Sequence, residues 1–276
     1  LCLPNMYWIP KKHKVPSKTR FIVAASLCSL KPLAKALTVV FKQFYKQIEN
    51  FNKIDHFFTG VKTFWVIQDK KPVVNAIRNL NKRRNAKSIM TFDFSTLYTK
   101  IPHDKLKDVL HELTDFCFKG CRRNKILVNE YGAVWLNTEN SKDSSKKDLK
   151  FSIDNVKEAI SYLLDNCHFM VGDQIFRQRI GIPMGSDPAP FFANLFLYHY
   201  ESRYMKELKK TDLPRARRFG NLSRFIDDLS AINDGGEFER CAAEIYPPEL
   251  ELKKENDGSK NASFLDLDIT IEDDKT

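Results

Sequence analysis

The order of helix-like and strand-like segments along the 276-residue chain predicts an α+β fold. Apolar residues at helical spacing alternate with short apolar runs typical of strands, but without the regular βαβ order of a doubly wound sheet. Two segments place apolar arms on both sides of a polar turn, at Gly172–Asp173 and at Asp227–Asp228, which is typical of antiparallel hairpins. Hydrophobic residues make up 42% of the chain, so it can bury a core between helices and sheet.

Six segments have the apolar spacing of helices. Pro32 and Pro72 can each occupy a first helical turn, where a missing N–H costs nothing. Asp154 lies near the start of another helix, where a negative charge is favourable. The predicted helices are 32–50, 72–83, 104–118, 152–166, 190–208 and 238–246.

The remaining apolar runs predict strands and hairpins. The predicted strands are 88–94, 249–255 and 264–271, and the predicted hairpins are 168–178 and 223–233. The segment 137–150 is polar, charged and short of large apolar residues, so it predicts a mobile surface loop.

The chain is basic, with a formal net charge of +10 and a pI near 9.2. Its basic clusters are flanked by aromatic residues, which suits a groove for a phosphate backbone, although a solubilising surface is an equally open interpretation. The clusters are Lys11, Lys12, Lys14, Lys18 and Arg20; Lys82, Arg83, Arg84 and Lys87; Arg122, Arg123 and Lys125; and Arg215, Arg217 and Arg218.

Other features of the composition restrict the class of protein. There is no run of about 18 uncharged apolar residues, so no membrane span is expected. The first residues lack an apolar signal segment and an initial Met, so we expect a fragment of a longer intracellular product. Six cysteines at irregular spacings favour reduced, buried thiols over a structural zinc site.

Three aspartates are candidates for metal chemistry. Asp227 and Asp228 form the tip of a predicted hairpin, and Asp93 ends a predicted buried strand. Each alone is more often an ordinary turn residue. On neighbouring strands of one sheet, however, they would present three carboxylates to one spot, and hard divalent cations such as Mg²⁺ favour such oxygen ligands. Two such ions ~3.5–4 Å apart stabilise both the attacking and the leaving oxygen in phosphoryl displacement.

Two further segments suit a nucleotide substrate. Gly181 and Gly185 lie in a rigid loop, 178–190, where small residues allow a backbone or a base to approach closely, although an ordinary strand-to-helix loop has the same composition. The segment 10–22 is dense in cations that could hold a triphosphate, although a solvated basic loop is the alternative interpretation.

These segments occur in the order of the reverse-transcriptase motifs. FDFSTLYTKIP (92–102) resembles the first palm motif, GIPMGSDPAPFFANLFL (181–197) the second, and RFIDDLSAI (224–232) the metal-binding hairpin. The chain is similar to Penelope-like retroelements in IPKKHK (9–14), in TRFIVAASLCSLKPLAK (19–35) and in the primer-grip strand FLDLDITI (264–271). The resemblance extends from Leu3 to about Ile271 and implies a right-hand polymerase with fingers at 1–86, a palm at 87–276 whose antiparallel sheet packs against helices, and no thumb.

The resemblance also implies roles for individual residues. Asp93, Asp227 and Asp228 would be catalytic and would bind two Mg²⁺ ions, with Mn²⁺ as a possible substitute. The implied nucleotide-binding residues are Lys11, Lys14, Arg20, Phe94, Tyr98, Gln178 and Gly181, and the implied template and primer contacts are Gly185, Ser186 and Phe225. Tyr98 matches the aromatic gate that excludes a 2′-OH, and Lys253 or Lys254 is a candidate proton donor to pyrophosphate.

The sequence departs from the family pattern at three positions. Phe225 stands where a tyrosine is more common, Phe21 follows the fingers arginine where proline is usual, and Asp187 adds a negative charge to the second palm motif. None of these departures removes an implied metal ligand. Phe225 keeps the ring but lacks the hydroxyl, so we expect an effect on primer positioning rather than on metal binding.

The function implied by the resemblance is RNA-directed DNA synthesis in retroelement replication. The expected partners are an RNA template, a DNA primer and dNTPs, with no membrane, and the expected location is the nucleus. Two alternatives stay open: a catalytically inactive, nucleic-acid-binding remnant of a retroelement, and a related polymerase such as an intron maturase, a telomerase-type enzyme or an RNA-synthesising enzyme.

Overall fold

The computed structural model describes residues 2–11, 18–136, 148–182, 184–258 and 260–276. Eight α-helices and thirteen β-strands form within these residues. The predicted surface loop at 137–150 lies outside them as far as residue 147. Among the described residues, no helix is long and apolar enough to cross a membrane.

The helices and strands follow one another in mixed order. The helices are α1 (Lys31–Thr59), α2 (Lys71–Arg83), α3 (Leu97–Lys100), α4 (His103–Cys121), α5 (Ile153–Asp165), α6 (Ala189–Thr211), α7 (Leu213–Arg218) and α8 (Glu237–Ile245). The strands are β1 (Met6–Lys11), β2 (Lys18–Val23), β3 (Ile89–Phe94), β4 (Lys125–Asn129), β5 (Gly132–Leu136), β6 (Leu149–Ser152), β7 (His168–Val171), β8 (Gln174–Arg177), β9 (Leu222–Phe225), β10 (Asp228–Ile232), β11 (Leu252–Lys254), β12 (Asn261–Phe264) and β13 (Leu267–Thr270).

All six predicted helices are confirmed, with small shifts at most ends. α1 is the exception, because it continues to Thr59 instead of ending near residue 50. No proline or glycine interrupts the helix between Ile48 and Gly60. Gly60 adopts a φ of 69° and its N–H donates to the His56 carbonyl at 2.8 Å, which closes the last turn.

The chain divides into two compact units. Unit 1 comprises Leu1–Ile48 and Tyr98–Phe196, and unit 2 comprises Glu49–Leu97 and Leu197–Thr276. Both units are therefore built from two separate stretches of sequence. The expected division into fingers at 1–86 and palm at 87–276 stays a prediction.

In unit 1, the first part of α1 packs against α4 and the first part of α6, and α5 packs against α4. The centre of unit 1 is aromatic: Phe41 packs edge-on against Phe192 at 5.1 Å between ring centroids, and Phe44 stacks on Trp135 at 5.8 Å. Around this core lie the antiparallel hairpins β1–β2 and β7–β8 and the three-stranded sheet β5-β4-β6. The interpretation of 10–22 as a loop is wrong for the described residues of β1 and β2, because Ile9 and Arg20 pair in register on two extended strands.

Unit 2 is built on a four-stranded antiparallel sheet of order β11-β3-β10-β9. One face packs against α6 and α8, where the Phe92 ring contacts Phe238 with centroids 5.0 Å apart. The other face is covered at one end by an apolar cluster that joins Ile89 and Ile232 to α2 and to β12 and β13. This packing confirms the α+β class with an antiparallel sheet on helices.

The predicted single strand at 264–271 is wrong. The structure has a hairpin instead, in which β12 pairs with β13 and Phe264 lies opposite Leu267. Leu265 and Asp266 form the connection with φ values of 49° and 59°, and two positive φ values are what a tight two-residue hairpin turn requires. A leucine rarely adopts this conformation, so Leu265 does not indicate a turn in the sequence.

Candidate active site

The structure places Asp93 and Asp228 directly opposite each other. Asp228 on β10 is the register partner of Asp93 on β3, in the centre of the four-stranded sheet. Side chains of directly opposed residues leave the sheet on the same face, with Cβ atoms about 4.5–5.5 Å apart. Both residues are half-buried. Residues 135 positions apart in sequence thus form a pair of neighbouring carboxylates.

Asp227 lies in the two-residue connection between β9 and β10. Its backbone carbonyl accepts the N–H of Phe94 at 3.0 Å, so the connection is fastened to the end of β3. Ile226, the other residue of the connection, has a φ of 55°. A β-branched residue in this region is strained, and such strain persists only where the surrounding structure enforces it.

The residues at this end of the two central strands fit a hard divalent cation that is shared with a substrate. Within the described part of the chain, no three His, Cys, Asp or Glu side chains are grouped closely enough to form a metal site from protein ligands alone. Mg²⁺, however, is usually held by one or two carboxylates together with waters and substrate phosphates. Asp93 and Asp228 supply two carboxylates on one face, and Asp227 adjoins them in the connection.

The register also separates the two candidate lysines. Lys253 on β11 is the partner of Asp93, so Lys253, Asp93 and Asp228 form one row across the sheet and share a face. Lys254 pairs with Phe92 in the next row and therefore points to the opposite face, where its Nζ lies 2.9 Å from Glu239 Oε2.

Phe94 and Phe225 hold the surroundings of the aspartates in place through their main chains and the packing of their rings. The Phe94 ring is buried edge-on against Tyr246 at 4.7 Å, which leaves its main chain to hold the Asp227 carbonyl. Phe225 is the register partner of Asp228 on β9, and its ring packs against the apolar cluster of the sheet. Phe225 therefore extends the row of Asp93 and Asp228 by one strand.

In unit 1, Tyr98 and Gly181 are joined through their main chains. The Ile182 N–H donates to the Tyr98 carbonyl at 2.8 Å, and the Gly181 N–H donates to the Ile101 carbonyl at 2.7 Å. Gly181 has a φ of 87°, and a Cβ at this position would lie 2.3 Å from the Tyr98 carbonyl oxygen. Only glycine fits this close approach. Gln178 lies in the same loop, where its Nε2 donates to the Ile180 carbonyl at 3.0 Å.

His103 holds this loop in place through a hydrogen bond to Gly181, a role that the sequence did not indicate. The imidazole is buried, and its Nε2 lies 2.7 Å from the Gly181 carbonyl oxygen. Burial lowers the pKa of His103 below its usual value, against the opposing effect of this hydrogen bond. A neutral ring that donates from Nε2 satisfies the carbonyl.

The second half of the loop is fastened to β2. The Val23 N–H donates to the Met184 carbonyl at 2.7 Å, and a Cβ at Gly185, whose φ is 111°, would lie 2.1 Å from the Val23 carbonyl oxygen. Ser186 follows and lines a cavity of about 50 Å³ together with Gln178. At the rim of this cavity Asp187, one of the departures from the family pattern, forms an ion pair with Lys31 at 2.9 Å.

The candidate residues thus fall into two groups. Unit 2 holds Asp93, Phe94, Phe225, Asp227, Asp228 and Lys253, and unit 1 holds Tyr98, Gln178, Gly181, Gly185, Ser186 and Arg20. Arg20 is exposed on β2. Lys14 lies outside the described residues, and Lys11 is described only in its backbone, as the last residue of β1.

Comparison with known proteins yields structural but no sequence matches. No family model and no curated protein sequence matches the chain. A telomerase from Candida albicans in complex with a TWJ fragment of telomeric RNA matches with a TM-score of 0.65 and 12% identity, over 97% of this chain and 45% of the telomerase. An apo telomerase from Candida tropicalis matches with a TM-score of 0.64 and 16% identity, over 97% of this chain and 47% of that chain. An RdRp complex matches with a TM-score of 0.56 and 10% identity, over 98% of this chain and 21% of that chain.

These similarities show that the chain has the fold of a nucleic-acid polymerase. At such low identity they concern the fold alone. The chain spans less than half the length of these two telomerases. The expected polymerase fold is confirmed, whereas the reaction, the site residues and the kind of element stay predictions.

Proposed function

We propose that this chain is the fingers and palm portion of a reverse transcriptase related to those of Penelope-like retroelements. It transfers dNMP from a dNTP to the 3′-OH of a DNA primer, directed by an RNA template. The single observation that supports this proposal best is the register pair of Asp93 and Asp228, beside a strained connection that carries Asp227.

The proposed reaction makes one bond and breaks one. The primer 3′-oxygen releases its proton to solvent and bonds to the α-phosphorus of the dNTP, while the bond between that phosphorus and pyrophosphate breaks. Asp93, Asp227 and Asp228 would hold two Mg²⁺ ions, or Mn²⁺, which supply Lewis-acid stabilisation of the developing charge. The remaining contribution of the protein is positioning and electrostatic stabilisation.

Lys253 is our proposed proton donor to the departing pyrophosphate. It lies in the row of Asp93 and Asp228, whereas Lys254 belongs to the opposite face. Lys253 is about half exposed, and its Nζ lies 3.2 Å from Glu251 Oε1 at the edge of the sheet. An ammonium there can move toward a leaving group without crossing the sheet.

The residues of unit 1 would bind the nucleotide and the template. Tyr98 would exclude a 2′-OH, while Arg20, Lys11 and Lys14 would bind the triphosphate. Gln178 and Gly181 would line the nucleotide pocket. Gly185 and Ser186 would contact the template or primer, as would Phe225 in unit 2. Support comes from the way Gly181 fixes the main chain of Tyr98.

The proposed macromolecular partners are an RNA template and a DNA primer. The net charge of +10 supports a phosphate-backbone partner, because basic side chains release counterions from nucleic acid on binding. A retroelement polymerase that primes on chromosomal DNA acts in the nucleus, which we propose as its location.

Primer extension on poly(rA)/oligo(dT) with dTTP and Mg²⁺ tests the proposal. The Asp227→Asn variant should lose extension. The matched control is Asp173→Asn, which removes a carboxylate at the tip of a hairpin in unit 1, β7–β8. Equal extension by Asp227→Asn and the natural chain would overturn the assignment of the metal-binding hairpin.

Two other functions each have an observation in their favour. A non-catalytic nucleic-acid-binding remnant is favoured by the basic net charge of +10, which suits binding to a phosphate backbone and does not require catalysis. It predicts salt-dependent RNA binding without extension. An RNA-synthesising enzyme is favoured by the similarity to the RdRp complex and predicts incorporation of UTP in preference to dTTP.

A further inference from the structure

Arg224 is a fully buried arginine at the edge of the candidate metal site. It lies on β9, immediately before Phe225, and its side chain is 0% exposed. It is the register partner of Leu229, so it belongs to the sheet face opposite Asp93 and Asp228. A permanently charged side chain in such a position is costly unless it is paired and fully hydrogen-bonded.

Glu201 of α6 pairs with this guanidinium through both carboxylate oxygens. Arg224 Nε donates to Oε1 and Nη2 donates to Oε2 at 3.1 Å, and Glu201 is also 0% exposed. The Tyr246 hydroxyl donates to Oε1 at 2.9 Å. Burial, together with the nearby Glu201 carboxylate, raises the pKa of Tyr246 well above its usual value, so the hydroxyl remains a donor.

The remaining guanidinium nitrogen reaches the strained connection. Arg224 Nη1 donates to the Ile226 carbonyl oxygen at 2.9 Å. That carbonyl belongs to the residue with the φ of 55°, and the peptide that contains it leads directly into Asp227. The main chain of Arg224 is itself fixed, because its N–H donates to the Trp65 carbonyl at 2.8 Å and its carbonyl accepts the Ile67 N–H at 2.8 Å.

Stability alone does not account for this arrangement. A buried ion pair is often no more stabilising than well-packed apolar residues of similar volume. Apolar residues could not, however, donate a charged hydrogen bond to the Ile226 carbonyl. The arrangement therefore matters for the geometry of the connection rather than for the stability of the fold.

We propose that Arg224, held by Glu201 and Tyr246, is a positioning residue that fixes the Ile226–Asp227 peptide in the conformation in which Asp227 binds a divalent cation. The proposal rests on the proposed function for the identity of the site. Loss of a residue that hydrogen-bonds to a metal ligand and orients it, without touching the metal, typically weakens metal affinity by about 10- to 100-fold.

The test separates positioning from folding. Single loss of Arg224 would leave Glu201 buried and uncompensated, so the main variant replaces the whole network: Arg224→Met, Glu201→Leu and Tyr246→Phe together. Binding of Mn²⁺ alone is measured by electron paramagnetic resonance, and amide hydrogen exchange follows the Phe94 N–H that donates to the Asp227 carbonyl. The melting temperature of each variant reports on the fold.

The expected result is a melting temperature near that of the natural chain, with Mn²⁺ affinity about 10- to 100-fold weaker and faster exchange at Phe94. For Arg224→Lys, which offers a single nitrogen, the Mn²⁺ affinity and the exchange rate at Phe94 should lie between those of the natural chain and those of the triple variant. Lys62→Met is the matched control: it removes a donor to the Leu222 carbonyl at the other end of β9 and should leave Mn²⁺ affinity unchanged.

The outcomes distinguish this proposal from the proposed function. Natural affinity and natural exchange in the triple variant would overturn the positioning role, even if the natural chain extends primers. Weaker Mn²⁺ binding and faster exchange, in a chain that extends no primer, would support positioning and contradict the polymerase. Absence of an Asp227-dependent Mn²⁺ site in the natural chain would overturn both.

Discussion

Replacing Lys62 by methionine should stabilise the protein at neutral pH. Lys62 follows α1, and its Nζ donates to the Leu222 carbonyl at the start of β9. Burial lowers the pKa of its ammonium from 10.5 to about 8. The folded protein therefore holds this proton less tightly than the unfolded chain does, and the charged form opposes folding.

The magnitude follows from this difference in pKa. At 1.36 kcal/mol per pKa unit, the charged lysine costs about 3 kcal/mol at pH values below about 8, where both states carry the proton. Between about pH 8 and 10.5 the unfolded chain binds more protons, so the free energy of unfolding rises with pH and the cost disappears. Methionine removes the cost but also a hydrogen bond worth about 1 kcal/mol, which leaves a net gain of about 2 kcal/mol at pH 7.

Urea denaturation of both proteins at pH 7, 8, 9 and 10 measures this effect. The advantage of Lys62→Met should shrink as the pH rises and should reverse by about 1 kcal/mol above pH 10.5, when only the lost hydrogen bond remains. Lys53→Met is the control, because Lys53 is exposed and forms a surface ion pair with Glu49 one turn earlier. An equal or lower stability of Lys62→Met at pH 7, with no change in the difference up to pH 10, would refute the reasoning.

Gly181→Ala should lower the free energy of unfolding by about 3 kcal/mol in urea denaturation, because its Cβ would meet the Tyr98 carbonyl oxygen at 2.3 Å. Gly172→Ala, where φ is 58° but no described atom lies within 4 Å of the new Cβ, should cost only about 1 kcal/mol. Tyr98→Ala should lower the preference for dTTP over UTP, measured as the ratio of their kcat/KM values, and an unchanged ratio would contradict the gate. Lys253→Ala should slow single-turnover incorporation by about 100-fold or more, whereas Lys254→Ala should not; similar effects of the two variants would contradict the assigned proton donor.

The local parts of the candidate site were predictable from sequence. The hairpin around Asp227–Asp228 was evident from its apolar arms, and the strand that carries Asp93 from a short, largely apolar run. The register between this strand and the hairpin was not predictable from sequence, because it depends on packing between segments more than a hundred residues apart. The choice between Lys253 and Lys254 depends on that same register, since adjacent residues of a strand point to opposite faces.

Other features were missed because their residue types indicated something else. Arg224 interrupts an apolar arm and looks like a surface charge, although Glu201, from helix α6, pairs with it in the core. The pairing of β1 with β2 was not predicted, because the many cationic residues of this segment also suit a solvated loop. The connection at Leu265–Asp266 lacks the glycine or asparagine that usually marks positive φ values.

The central claim is that Asp93 and the Asp227–Asp228 hairpin form one metal-dependent polymerisation site. The most direct test is the rate of dTMP incorporation on poly(rA)/oligo(dT) in Mg²⁺ by the natural chain and by Asp93→Asn, because only the folded register brings Asp93 to the hairpin. Asp93→Asn should lose several kcal/mol of charge stabilisation in the transition state. Its rate of dTMP incorporation should therefore fall by at least about 100-fold, while its melting temperature stays unchanged. A variant that incorporates dTMP at the natural rate would contradict the account.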